Sequence, residues 1–332
     1  MCERLGSKPD LFRIRLPFAN LGAGESNCYV LHDAGEWLIV DSAAPGLRNE
    51  RALARAFNDL GIDFGACRAM LTHGHFDHAG ALGGVLPSSV PLYLAESALS
   101  LREPGRQRQV QEAFRRHMIL MGAPFEDACS YSACNAETAA FPRGRFACHT
   151  VGEGDVVSVG SCRFVVLETP GHTADHLCFY EPRWGILFGG DHVLFPTTPS
   201  VDAHPDEEDG LGLYLRHLNR IGGLPVRIAL FGHGEPVHDG AALTARAETI
   251  AARKRSRVQA ALAFLCEQAG ATGQELARCV FARLSDASWR ATRPMARYYF
   301  MLEALVVLRH LRASGRIERH VAGPDAVSYR PR

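Results

Sequence analysis

Short apolar and β-branched runs, punctuated by Gly, Pro and Asp, fill the first two-thirds of the chain. Those at Phe12–Leu16, Cys28–Leu31, Trp37–Val40, Ala69–Leu71, Leu92–Leu94, Val156–Val159, Arg163–Leu167, Leu177–Tyr180, Ile186–Phe188 and Ile228–Phe231 have the length and make-up of strands. Helical periodicity falls between some of them, at Leu47–Leu60, Ala79–Leu86 and Gly212–Gly222. Strands that arrive first as hairpins and then alternate with helices, twice over, predict an α/β fold of two mixed β-sheets covered by helices on their outer sides.

Between about 96 and 145 a helical insertion interrupts the two strand-rich halves. Val110, Phe114, Met118 and Met121 recur at helical spacing, with Arg106, Arg108, Arg115 and Arg116 largely on the other faces. Two uses compete for this stripe: a helix packed on the core, or a lid whose Met118 and Met121 line a pocket for an apolar substrate group, since thioethers adapt to varied shapes. Beyond 240 the chain is mostly helical, over Ala241–Gln268 as one helix or two, Gly273–Leu284 and Met295–Ala313. Two short strands, Arg316–Val321 and Ala326–Tyr329, then flank the turn signal Ala322-Gly323-Pro324-Asp325. Helices ending in a hairpin resemble a winged helix, so the expected division is a large α/β domain over 10–240 and a small winged-helix-like domain over 241–332.

Composition narrows the partners. Lys plus Arg is 36 and Asp plus Glu is 36, so no net charge draws the chain towards polyanions and a small-molecule partner is expected. The cluster Arg253, Lys254, Arg255 and Arg257 leaves a nucleic-acid contact in the tail open, against the plainer reading of a solvated face. A hydrophobic content of 47% with 22% charged residues excludes a disordered or collagen-like chain. Ten cysteines without a Cys-x-x-Cys pair read as reduced thiols. The first ten residues carry Glu3, Arg4, Lys8 and Asp10 and no apolar run, and nothing approaches the roughly 18 apolar residues of a membrane span, so the expectation is a cytoplasmic protein with no membrane partner.

The chemistry concentrates in Thr72-His73-Gly74-His75-Phe76-Asp77-His78, directly after an apolar run. Alternation on a loop leaving a strand places His73 and His75 towards one centre, while Asp77 and His78 open the next helix and face a second. Imidazole and carboxylate donors suit borderline divalent metals such as zinc. Three more candidates each follow an apolar strand: His172 in Gly171-His172-Thr173, Asp191 in Gly189-Gly190-Asp191, and His233 in Gly232-His233-Gly234. Seven donors suffice for two metals.

With these residues the chain resembles the metallo-β-lactamase-fold superfamily of metal hydrolases, over about Phe12 to His238 and including Asp41 in Trp37-Leu38-Ile39-Val40-Asp41-Ser42. The resemblance implies an αββα four-layer sandwich. It also implies a first metal on His73, His75 and His172, a second on Asp77, His78 and His233, and Asp191 bridging both. Zinc fits best by ligand type, and iron or manganese would be held by the same set. Two divalent ions less the charges of Asp77, Asp191 and a bridging hydroxide leave a net cationic site, which would sharpen water as a nucleophile and stabilise charge on a carbonyl or phosphoryl oxygen. Asp77 and Asp191 are accordingly the expected catalytic carboxylates, Asp77 orienting the hydroxide and passing on its proton.

Departures from the family pattern narrow the subgroup. Antibiotic-cleaving members generally lack the equivalent of His78 or Asp191, so a true β-lactamase is not expected, and diiron flavoprotein relatives usually place Glu where His75 stands. The leading expectation is hydrolysis of a thioester, ester or lactone, as in glyoxalase II-like or lactonase-like relatives. The alternative is a phosphodiesterase or endoribonuclease whose tail binds nucleic acid, and a ligand sensor without turnover is a third reading. The tail would otherwise pack beside the site or build a homodimer. His176 and His192 are the expected substrate contacts, while His217 and His238 read as surface or supporting residues.

Overall fold

The computed structural model describes residues 2–17, 24–100, 103–134, 146–204, 207–323 and 326–332. Seven strands lie side by side in chain order: β1 (Cys2–Ser7), β2 (Asp10–Pro17), β3 (Glu25–Asp33), β4 (Glu36–Val40), β5 (Cys67–Met70), β6 (Leu92–Leu94) and β7 (Cys148–Thr150). The first four pair antiparallel as hairpins, and the pairs from β4 to β7 are parallel. A second sheet follows, of β8 (Val156–Val159), β9 (Cys162–Glu168), β10 (Leu177–Glu181), β11 (Ile186–Gly190) and β12 (Ile228–Phe231), antiparallel except for the pair β11 and β12.

Alternation along single strands sorts side chains into three apolar layers. In the first sheet Tyr29, Leu31, Leu38, Val40 and Met70 point inward, where they meet Phe164, Val166, Leu177, Phe179, Ile186 and Phe188 of the second. Their neighbours Cys28, Val30, Trp37 and Ile39 point outward onto Leu53, Ala56 and Phe57 of α1 (Leu47–Leu60), whose span matches its prediction. The outer face of the second sheet, with Leu167, Cys178, Tyr180, Leu187, Ala229 and Phe231, is covered by α7 (Gly210–Gly222) and α8 (Gly240–Glu267). Helix, sheet, sheet and helix are thus the layers, as expected.

The expected helix over 79–86 divides into α2 (Phe76–Ala79) and α3 (Leu82–Val85), because Ala81 N–H leaves the helical ladder and donates to the Ala43 carbonyl at 2.9 Å. The insertion forms α4 (Glu96–Ser100), α5 (Pro104–Leu120) and α6 (Phe125–Cys134); residues 101–102 and 135–145 of it lie outside the described residues. The tail is one long α8, then α9 (Gly273–Leu276) continuing into a wider helical turn over Ala277–Ala282, α10 (Asp286–Ala291), α11 (Pro294–Ala313) and the antiparallel hairpin β13 (Ile317–Gly323) and β14 (Ala326–Pro331). Pro324 and Asp325 of its expected turn are not among the described residues.

Insertion and tail share one apolar cluster with the second sheet, in which Phe114, Met118, Met121 and Tyr131 pack with Tyr298, Met301, Leu305 and Leu308. Arg297 of α11 adds a two-pronged pair to Asp127 of α6, at 2.6 and 2.8 Å, with the guanidinium 5.8 Å from the Tyr131 ring. Asp127→Ala should therefore lower unfolding free energy by about 1–3 kcal/mol in urea titration, because it strands a largely buried guanidinium. Among the described residues no helix is long and apolar enough to cross a membrane.

Candidate metal centre

Strand ends of both sheets deliver the polar cluster. β5 runs into the loop with His73 and His75, α2 presents Asp77 and His78, β9 leads to His172, β11 to Asp191 and β12 to His233. The side chains converge: His75 Nδ1 lies 3.0 Å from His73 Nε2 and 3.2 Å from His172 Nε2. His233 Nε2 lies 3.2 Å from Asp77 Oδ2 and 3.3 Å from Asp191 Oδ2. Asp191 stands between the two groups, its carboxylate 3.5 Å from His78 Nε2 and 3.7 Å from His172 Nε2. Three sets have donor atoms close enough to hold a metal ion: His73, His75 and His172; His73, His78 and Asp191; and Asp77, His78 and His233.

The electrostatics separates the donors. Burial, with His172 beside it, pushes His75 down to about 3, and burial among His78, His75 and His172 holds His73 well below the usual range, so both rings are neutral with lone pairs to give. Burial also acts to lower His233, but Asp191 and Asp77 outweigh it and carry the ring up to about 10; His78 is raised for the same reason. Asp191 is raised by burial and lowered more strongly by His233 and His78, so it is held ionised. His78 Nε2 and Asp191 Oδ1 are nevertheless buried without a hydrogen bond among the described residues. A buried imidazole nitrogen and a carboxylate oxygen that face each other at 3.5 Å without a hydrogen bond are costly unless a cation takes the place of the ring proton and is shared by both, so this donor set fits a divalent metal.

Supporting contacts set the directions. Asp41, at φ +58°, accepts Thr72 N–H at 2.8 Å, Thr72 Oγ1–H at 2.7 Å and His78 Nδ1–H at 2.9 Å. His172 Nδ1–H donates to Ser200 O and His233 Nδ1–H to Glu25 O, at 3.0 and 2.6 Å. Such partners orient ligating imidazoles and raise their basicity. The His233 loop is fastened to the first sheet through Asn27, which donates to the Phe231 and Gly234 carbonyls, and through Arg13. Arg13 is only 1% exposed and also pairs with Glu3 and Glu235.

Four expected substrate contacts are placed elsewhere. Met118 and Met121, 0% and 1% exposed, are sealed against the tail helices, because the tail supplies the apolar partner that the lid reading gave to a substrate. His192 is 0% exposed and packs on Tyr214. His176 is buried with its nitrogens turned to Thr169 and to the Asp191 backbone. Asp175 is a contributor the sequence reading passed over: its carboxylate accepts Gly74 N–H at 2.8 Å, between His73 and His75, and burial raises its pKa. An acidic residue in a segment between a ligand candidate and an apolar strand was the available signal.

Residues 21–233 match the metallo-beta-lactamase superfamily. A hydroxyacylglutathione hydrolase of Hydrogenovibrio crunogenus is 43% identical over 72 residues, 21% of this chain and 26% of that protein. An atrochrysone carboxyl ACP thioesterase of Aspergillus fumigatus is 26% identical over 214 residues, 64% of this chain. The chain thus spans about a quarter and about half (52%) of the length of these curated relatives. A metallo-beta-lactamase family protein from Thermus thermophilus superposes with a TM-score of 0.74 at 27% identity, over 97% of this chain and 98% of that one, tail included. The chain belongs to the metallo-beta-lactamase superfamily.

Proposed function

We propose that this protein is a dinuclear metal hydrolase of carbonyl substrates, thioesters first among them, with esters and lactones as related targets. The observation that carries the reading is the convergence of His73, His75, His172, Asp77, His78, His233 and Asp191, with His78 Nε2 and Asp191 Oδ1 buried 3.5 Å apart and not hydrogen-bonded. His73, His75 and His172 would hold one ion, Asp77, His78 and His233 the other, and Asp191 lies within reach of both groups. When bound, the ions supply Lewis acidity, stabilising negative charge on a carbonyl oxygen and acidifying water. Asp77, kept ionised by His78 and His233 against the effect of burial, offers Oδ2 as a proton acceptor. Asp41 fixes His78, and Asp175 fixes the loop between His73 and His75. The thioester preference is supported by the relatives named an ACP thioesterase and a hydroxyacylglutathione hydrolase.

Metal analysis joined to a panel of acyl thioesters, lactones and phosphodiesters tests this. The expected outcome is two divalent ions per chain, with zinc favoured, and thioester turnover that a chelator abolishes and added zinc restores. Cleavage of phosphodiesters alone would overturn it. That second reading is favoured by one feature, a cleft of about 510 Å³ in the tail lined by Arg309, Arg312, Arg319 and Arg332, although Glu207, Glu208 and Glu318 share its walls. Binding through those arginines would fall steeply as salt rises, whereas an acyl substrate would respond little.

A further inference from the structure

We propose that His176 is a positioning residue for Asp191, locked in its Nδ1–H tautomer by a one-way hydrogen-bond chain that starts and ends on the same strand terminus. The inference rests on the reading above that Asp191 is a metal ligand. Asp191 N–H has only a proton to give, so His176 Nε2, 3.1 Å away, must accept and carries none. The proton of the neutral ring is then on Nδ1, which donates to Thr169 Oγ1 at 2.7 Å. That hydroxyl passes its own hydrogen to Cys178 Sγ or to the His176 carbonyl, each at 3.4 Å, and Cys178 Sγ reaches Gly189 O at 3.6 Å. Through Cys178, the chain that starts at Asp191, just past the end of β11, returns to that strand at Gly189.

The enclosed residue shows how tightly the loop is drawn. Gly190 has φ +49°, and a Cβ there would lie 2.6 Å from His176 Nε2 and 2.9 Å from Thr72 Cβ. No other residue fits while the ring stays in place. His176 and Thr169 are themselves buried, and Thr169 N–H donates to the His176 carbonyl at 2.9 Å, so the two residues are tied to each other through both backbone and side chain. Asp191 thus leaves the strand with its backbone amide held by a fixed lone pair, and its carboxylate is aimed between the two histidine groups. An imidazole that turned or took the other tautomer would present N–H to N–H and release it.

The test uses two readouts besides turnover. In protein labelled with ¹⁵N-histidine, two-bond nitrogen–proton correlation reads the tautomer, the His176 signal being assigned by its loss in His176→Gln. The expected state is Nδ1–H. Thr169→Val removes the acceptor at almost constant volume, and Thr169→Ser keeps it. Thr169→Val should weaken binding of the more loosely held metal about 10-fold, the low end for a partner of a ligand, while Thr169→Ser binds like the wild type. An Nε2–H tautomer in the wild type, or equal metal affinity in the valine and serine variants, overturns the proposal. A wild type that binds no metal would defeat the hydrolase reading instead, and the tautomer measurement would still decide whether the chain exists.

Discussion

Asp191→Asn is expected to lower kcat/KM on the order of 10⁴-fold, the scale seen when one member of an interdependent catalytic unit is removed. The substitution keeps the shape and the backbone amide bond to His176, so what it removes is charge. In the wild type one ionised carboxylate faces His78, His172 and His233 at 3.3 to 3.7 Å. Two divalent ions would share only the charges of Asp77 and Asp191. Without the second, their mutual repulsion is offset by Asp77 alone, and an amide oxygen is a weaker donor than a carboxylate. Metal content should fall from two ions towards one, with His73, His75 and His172 retaining theirs. A variant that keeps two ions and turns over within about 10-fold of the wild type would remove Asp191 from the centre.

Much of the architecture was legible because its signals are local. All ten strands read from apolar runs are present, and in β4 the alternation of Trp37 and Ile39 against Leu38 and Val40 assigns each residue to a different layer. The missing strands lacked that signal. β1 is an edge strand with Glu3, Arg4 and Gly6 among its six residues and mostly exposed positions, and β7 has only three residues. The wide helical turn over Ala277–Ala282 continues α9 without any change of periodicity that sequence could reveal.

Positions of candidate ligands were legible for a related reason. A donor just past an apolar strand must emerge at a sheet end, and strand ends of both sheets meet at one rim. Orientation was not. His176 lies four residues from His172, yet β10 begins at Leu177 and turns the imidazole inward onto Thr169. Periodicity identified the buried stripe of α5 but not its neighbour: Met118 faces the tail, whose Met301 and Leu305 lie about 180 positions away. Separation of that size leaves no trace in local pattern.

Asp41→Ala should be the most damaging change among residues that do not belong to the donor set. One carboxylate satisfies three donors in a site closed to water: Thr72 N–H, Thr72 Oγ1–H and His78 Nδ1–H. Leaving buried donors unpaired costs about 1–3 kcal/mol each, so with partial relaxation the loss of unfolding free energy should be about 3–6 kcal/mol. Backbone strain adds to this, because φ is +58° and an alanine lacks the local hydrogen bonding that makes that region tolerable for Asp or Asn. Metal affinity should fall about 10–100-fold, since His78 would be free to rotate away from Asp77 and Asp191. Asp41→Asn separates the two effects. It retains the shape and tolerates the backbone angle, but its amide group turns a donor towards His78 or towards Thr72, so it should fold more stably than the alanine variant while still binding metal weakly. Denaturation and metal titration of both variants decide the matter: equal metal affinity in wild type and Asp41→Asn would show that His78 is held by its own helix rather than by Asp41.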